Sequence, residues 1–203
     1  MSLAVSRDRH HEAAAFAELA LRLHVVRDLD ELVATIVTAA QETFGCDLAA
    51  VAVLGPRQQV RSVDGPAADL VEAAVATGTG AWWTALTTRS IQHEDEAVVH
   101  APITPGSGRP SGLLSLWLTE PVDLRRISHF CTYAGIALEG LWYQERLRRS
   151  MDTHATVGSG IGMLMERYSL DRGAAYDVMS KIAIEDGVRL KEIAQRLREV
   201  SAE

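Results

Sequence analysis

A chain of 203 residues, 47% hydrophobic and 23% charged, has ordinary globular composition and room for one domain of usual size plus an appendage. Its net charge of -7 excludes a broad basic surface for nucleic acid, so any such binding must rest on a local patch. Cys46 and Cys131 stand far apart with no CxxC and no Cys/His spacing, which excludes a thiolate zinc site and suits a reducing compartment, although a fold that joined them could pair them.

Arg7, Asp8, Arg9, His10 and His11 precede any apolar run, so the start does not read as a signal peptide. No stretch has the roughly 18 apolar residues of a membrane span, and the expected location is cytoplasmic. Phe16, Leu19, Ala20 and Leu23 recur at helical spacing and predict an amphipathic helix over 9–26. Asp28 offers an N-cap with Glu31 three positions on, and the stripe Leu29, Leu32, Val33, Ile36, Val37 and Ala40 predicts a helix that Gly45 stops. Leu48 to Leu54 is an apolar run bounded by Gly55-Pro56, a buried strand, and Val60 to Val63 reads as its antiparallel partner. Asp64-Gly65-Pro66 turns into a helix over 67–76, Gly78-Thr79-Gly80 breaks it, and Trp82 to Thr88 forms a short one. Ile91 belongs to a short strand, and 97–103 and 113–118 are longer ones separated by the turn residues 105–110. Hairpin strands with helices before and after predict an α+β domain over 9–143 with an antiparallel sheet flanked by helices.

Beyond Asp123 the strand signals cease. Ile127, Phe130, Cys131, Ala134, Leu138, Leu141 and Trp142 make one helical face. Leu147, Met151, His154, Gly158, Ile161 and Met165 then follow at spacings of four and three, a heptad seam. Unbroken to Tyr168, this helix is about 65–70 Å long at 1.5 Å per residue, and so long an apolar face calls for a partner helix, met by a homodimer. Gly158, Gly160 and Gly162 each cost about 1 kcal/mol in a helix interior. Either close packing offsets that loss or the helix breaks there. Ala175, Val178, Met179 and Ile182 predict a further helix, capped near Asp171 and stopped at Gly187, and Leu190, Ile193, Ala194 and Leu197 predict the last. Residues 144–203 are thus read as a coiled-coil linker and an all-α three-helix module, small enough to need a dimer's help.

Gly162-Met163-Leu164-Met165-Glu166-Arg167, then Ala174-Ala175-Tyr176, then Arg189-Leu190-Lys191-Glu192-Ile193-Ala194, resemble the ANTAR family, which carries an Ala-Lys-Gly-x-Leu-Met element, an Ala-Phe pair and a Lys-Leu-x-x-[IV]-Ala element at this spacing. The resemblance implies binding of RNA hairpins and prevention of transcription termination. The region from about Ala15 to Tyr143 looks like the GAF domain that often precedes ANTAR in actinobacteria, on Phe16 to Leu23, Asp28 to Ala40, Gly45-Cys46-Asp47 and Gly80-Ala81-Trp82-Trp83-Thr84-Ala85-Leu86. As a whole the chain resembles the GAF-ANTAR transcription antitermination regulators of actinobacterial type, which implies a cytoplasmic signal-transduction protein with a GAF sensor. It departs from the pattern at Gly160-Ile161-Gly162, where the family has Ala-Lys-Gly, at Met179-Ser180, where it has Leu-Arg, and at Ala183-Ile184, where it has Ser-Gln. His93-Glu94-Asp95-Glu96 is shorter than the pocket-closing segment of GAF relatives, which implies a small or closed pocket.

No catalytic constellation is present. Gly158-Ser159-Gly160 has no preceding strand, so it is neither a nucleophile elbow nor a phosphate loop, and the chain is not expected to be an enzyme. No metal or cofactor is assigned: His93, His100 and His129 fall on different elements without a carboxylate or cysteine at ligand spacing, and His10-His11 reads as a solvated terminus. His154 on the seam can set register and titrate near neutrality, against a plain reading as an exposed side chain. Trp82, Trp83 and Trp117 are candidates to line a ligand pocket, against core packing for at least two of them. Arg172, Tyr176 and Lys181 on one helix, with Arg189, Lys191 and Arg198 on or beside the next, combine cations with a stackable ring, as RNA recognition requires. From Met151 onward, seven Lys/Arg stand against nine Asp/Glu, so charge alone favours a solvated surface, and the resemblance restores the RNA hairpin. The alternative is a degenerate ANTAR protein acting only through protein contacts, such as with a partner signalling protein. A third reading takes the last two helices as a DNA-binding helix-turn-helix with Gly187 in the turn.

Overall fold

Phe16, Leu19 and Leu23 form the buried stripe of α1 (Ser2–Val25), which starts earlier than the expected residue 9. The structure, a computed structural model, describes residues 2–55, 60–105 and 108–200, with side chains from residue 14 to residue 199 within those ranges. The Pro56 boundary, the Gly106-Ser107 part of the turn and the side chains of His10 and His11 fall outside them. In α2 (Leu29–Phe44) the Asp28 carboxylate accepts from the N–H groups of Asp30 and Glu31 at 3.0 and 3.2 Å. Gly45 closes the helix in the left-handed region at φ 63°, where a side chain would be strained.

Five strands follow with two helices among them: β1 (Leu48–Leu54), β2 (Val60–Asp64), α3 (Ala68–Thr77), α4 (Ala81–Thr88), β3 (Gln92–His93), β4 (Val98–Ile103) and β5 (Gly112–Trp117). Ile91 lies just before β3 rather than in it. The sheet order is β2-β1-β5-β4-β3 with every pairing antiparallel. Because side chains alternate across a strand, the sheet has two buried faces. Val51, Val53, Val99, Ala101, Ile103, Leu114 and Leu116 pack with the stripes of α1 and α2 and with Ile127, Phe130 and Leu138. Ala50, Ala52 and Leu113 pack on the other side with Val71 of α3 and with Trp82 and Ala85 of α4. Burial on both faces explains why β1 reads as an unbroken apolar run.

α5 runs from Leu124 to Tyr168 without a break at Gly158, Gly160 or Gly162. The chain divides into two compact units, Met1–Trp142 and Tyr143–Glu203. In the second, α6 (Arg172–Asp186) starts at Asp171, whose carboxylate accepts from the Ala174 N–H at 2.8 Å, and stops at Gly187 with φ 66°. α7 (Leu190–Val200) completes it. Its core joins Ile161 and Leu164 of α5 to Ala175, Met179 and Ala183 of α6 and to Ile193 and Ala194 of α7. No helix among the described residues is long and apolar enough to cross a membrane.

Candidate nucleic-acid interface

The three helices of the second unit meet closely at Gly160. A Cβ there would lie 2.9 Å from the Ala194 Cβ, 3.0 Å from its Cα and 3.2 Å from the Met179 Sδ. Glycine thus lets α5 approach α7 directly, and packing offsets its poor helix propensity. Next to it Ile161 is buried in the same core. This corrects one seam residue: Ile161 is covered by α6 and α7 of its own chain and has little surface left for a second copy. Leu147, Met151, His154 and Met165 are exposed, with Leu147 at 50% and Met151 at 64%, and Tyr143 extends the exposed stripe one turn back.

The six expected RNA-contacting residues do not form one patch. Arg172 and Tyr176, four apart on α6, lie on one side of that helix. Lys181 is nine positions past Arg172, about half a turn round at 3.6 residues per turn, and points to the opposite side. It lies 4.0 Å from Glu185. On α7, Arg196 donates to Asp186 of α6 at 2.9 Å, so that flank faces α6. Arg189, just before α7, belongs to the same flank, while Lys191 and Arg198, seven apart, share the other.

Arg172 and Tyr176 open onto a groove of about 470 Å³ between α5 and α6, lined also by His154, Val157, Gly158 and Ile161 of α5 and by Gly173 and Asp177 of α6. The structure thus brings together two expected RNA contacts, Arg172 and Tyr176, and two expected seam residues, His154 and Ile161. Asp177 also lines the groove, and in sequence nothing separates it from a solvated carboxylate, because neighbouring residues on a helix do not share a face.

In the first unit Trp82 stacks on Trp83 with ring centroids 6.2 Å apart, and Trp117 packs against the same cluster as Trp82. Trp82 is buried against the sheet, and its Nε1 has no hydrogen-bond partner among the described residues. Trp83 is 45% exposed and edges a shallow surface cavity of about 370 Å³ with Arg89 and Arg109. Trp117 meets His100 edge-on, with centroids 6.5 Å apart. His100 is itself buried: its Nδ1 pairs with the Ser115 Oγ at 2.8 Å and its Nε2 with the Glu94 carboxylate at 3.1 Å. Cys46 and Cys131 are free and buried, and burial pushes both thiols above their usual range. No cluster of metal-ligating side chains occurs among the described residues.

Comparison with known proteins gives each unit a relative. Residues 145–197 match the ANTAR domain family. The GAF domain of an Acinetobacter phosphoenolpyruvate-protein phosphotransferase aligns over 67% of this chain and 98% of its own, at 11% identity and a TM-score of 0.50. The GAF domain of the Escherichia coli potassium sensor histidine kinase KdpD covers 66% and 98%, at 17% identity and a TM-score of 0.46. The A. aeolicus Nlh2 GAF domain in an inactive state covers 68% and 98%, at 14% identity and a TM-score of 0.45. No curated protein sequence matches. At these identities the first of the structural likenesses speaks for the fold alone, and that fold is the antiparallel sheet and flanking helices described above. The chain thus carries a domain of GAF fold followed by a segment, residues 145–197, that matches the ANTAR domain family.

Proposed function

We propose that this chain is a non-catalytic, RNA-binding regulator of transcription termination: the ANTAR domain takes an RNA hairpin and the GAF-fold domain governs when it does so. ANTAR proteins are antitermination regulators. The observation that carries the reading for this chain is the pairing of Arg172 with an exposed Tyr176 on one groove inside the matched segment. An exposed ring beside a guanidinium is what unpaired RNA needs, a stacking surface next to a phosphate contact. The exposed stripe of Tyr143, Leu147 and Met151 supports a homodimer as the working form.

Filter binding of the purified protein to RNA hairpins, duplex DNA and unstructured single strands over a range of salt tests this. Hairpins are expected to bind most tightly, with affinity falling as salt rises. Equal binding of all three, or of none, overturns it. The second reading, a domain used only for protein contacts, has its own observation. Ile161 stands where ANTAR carries a lysine, and it is buried in the domain core. Protein contacts take the lead if no hairpin binds the intact dimer.

A further inference from the structure

The α5–α6 groove mixes chemistries that a folded surface has no need to combine. Ile161 forms an apolar floor, Tyr176 offers a ring 47% exposed, and Arg172, His154 and Asp177 stand around them. None of these four polar side chains has a hydrogen bond or ion pair with another described residue. Gly158 forms part of the wall. Unlike Gly160, it has nothing within 4 Å of where a Cβ would stand. Glycine is the poorest helix former after proline, and at position 158 helix packing gives no reason for it. Its effect is to leave the groove open.

The occupant can be narrowed by exclusion. A bare phosphate would meet the Asp177 carboxylate. A purely apolar side chain would bury Arg172, His154 and Asp177 without partners, which is costly. A nucleotide answers the ring, the carboxylate and the guanidinium together: its base stacks on Tyr176, the base N–H groups donate to Asp177, and its own phosphate lies within reach of Arg172 at the rim. A carboxylate only accepts, so it suits adenine, cytosine or guanine, each with an exocyclic amine. Uracil offers one N–H between two carbonyl oxygens that a carboxylate repels. Resting on the RNA reading above, we infer that this groove receives one unpaired, amine-bearing base of the RNA and discriminates against uracil at that position through Asp177.

The test uses the full chain and a pool of RNA hairpins with randomised loops, sequencing the bound fraction for the wild type, Asp177→Asn and Gly158→Leu. The wild type is expected to select against uracil at one loop position by about tenfold, the scale of a single base contact. Asp177→Asn should weaken that selection severalfold without changing the salt dependence. Gly158→Leu should fill the groove and reduce binding about tenfold or more, with helical content by circular dichroism unchanged. Should Gly158→Leu lose helix, Tyr176→Leu replaces it and carries the same expectation. If both Asp177→Asn and the groove variant bind the same loops as tightly as the wild type, the groove is not the site and the RNA reading stands. If the wild type binds no hairpin, both fall together.

Discussion

Gly158, Gly160 and Gly162 crowd one stretch of α5, yet each answers to a different constraint. A Cβ at Gly160 would press on the Cα and Cβ of Ala194, whereas one at Gly162 would meet nothing within 4 Å. Gly160→Ala is therefore expected to destabilise the second unit by about 1–3 kcal/mol, because backbone cannot yield as a side-chain tip can. Gly162→Ala should stabilise it by about 0.4–1 kcal/mol by restricting the unfolded chain. Urea unfolding followed by circular dichroism should show the two variants moving the same transition in opposite directions; movement in one direction would contradict the packing described. The sequence posed this as a choice between close packing and a broken helix, because what faces a glycine is set by residues far along the chain, here Ala194. His100 was opaque for the same reason. Its partner Ser115 lies directly across the strand pair, a neighbour that only the register of β4 on β5 reveals.

At the scale of elements, cap and turn chemistry was legible because it is local. Asp28, Gly45, Asp171 and Gly187 sit at the helix ends where their residue types placed them. The two-residue β3 was legible only as a short strand at Ile91, one residue early, since so short a strand has no period to fix its ends. The seam was legible as a stripe but not as to what covers it. Leu147, Met151 and Ile161 share one helical spacing, yet α6 and α7 cover Ile161 and leave the other two exposed. Spacing reports that a face is apolar, and a neighbouring helix of the same chain satisfies it as well as a second copy does. The consequence is a pair of contrasting variants. Changing both Leu147 and Met151 to Glu should abolish self-association, read by sedimentation, and lower the melting transition only by what the dimer contributes, with the fold of each copy kept. Ile161→Glu should unfold the second unit, since a carboxylate enters a closed apolar core. Unchanged sedimentation of the Leu147/Met151 variant, beside a wild-type dimer, would place the dimer contact elsewhere.

Across the whole molecule, charge is unevenly placed. From residue 143 onward, ten Lys/Arg cancel ten Asp/Glu, so the entire net charge of -7 belongs to the first unit. Several cations of the second unit are already engaged: Glu145 holds Arg148 and Arg149, and Asp186 holds Arg196. An approaching RNA therefore meets no long-range attraction, and binding must come from a few short-range contacts. Each phosphate neutralised contributes about -0.9 to the slope of log affinity against log salt on a duplex, and about -0.7 on a single strand. Engaging about three cations, among them Arg172, gives a slope of about -2 to -3 under the same rule. Arg172→Gln should make it shallower by about one. Lys181→Gln, on the opposite side of α6, should leave it unchanged. A slope steeper than about -6, on that per-phosphate scale, would require a basic surface this chain lacks. Loss of slope from Lys181→Gln but not from Arg172→Gln would move the RNA to the outer face of α6 and away from the groove.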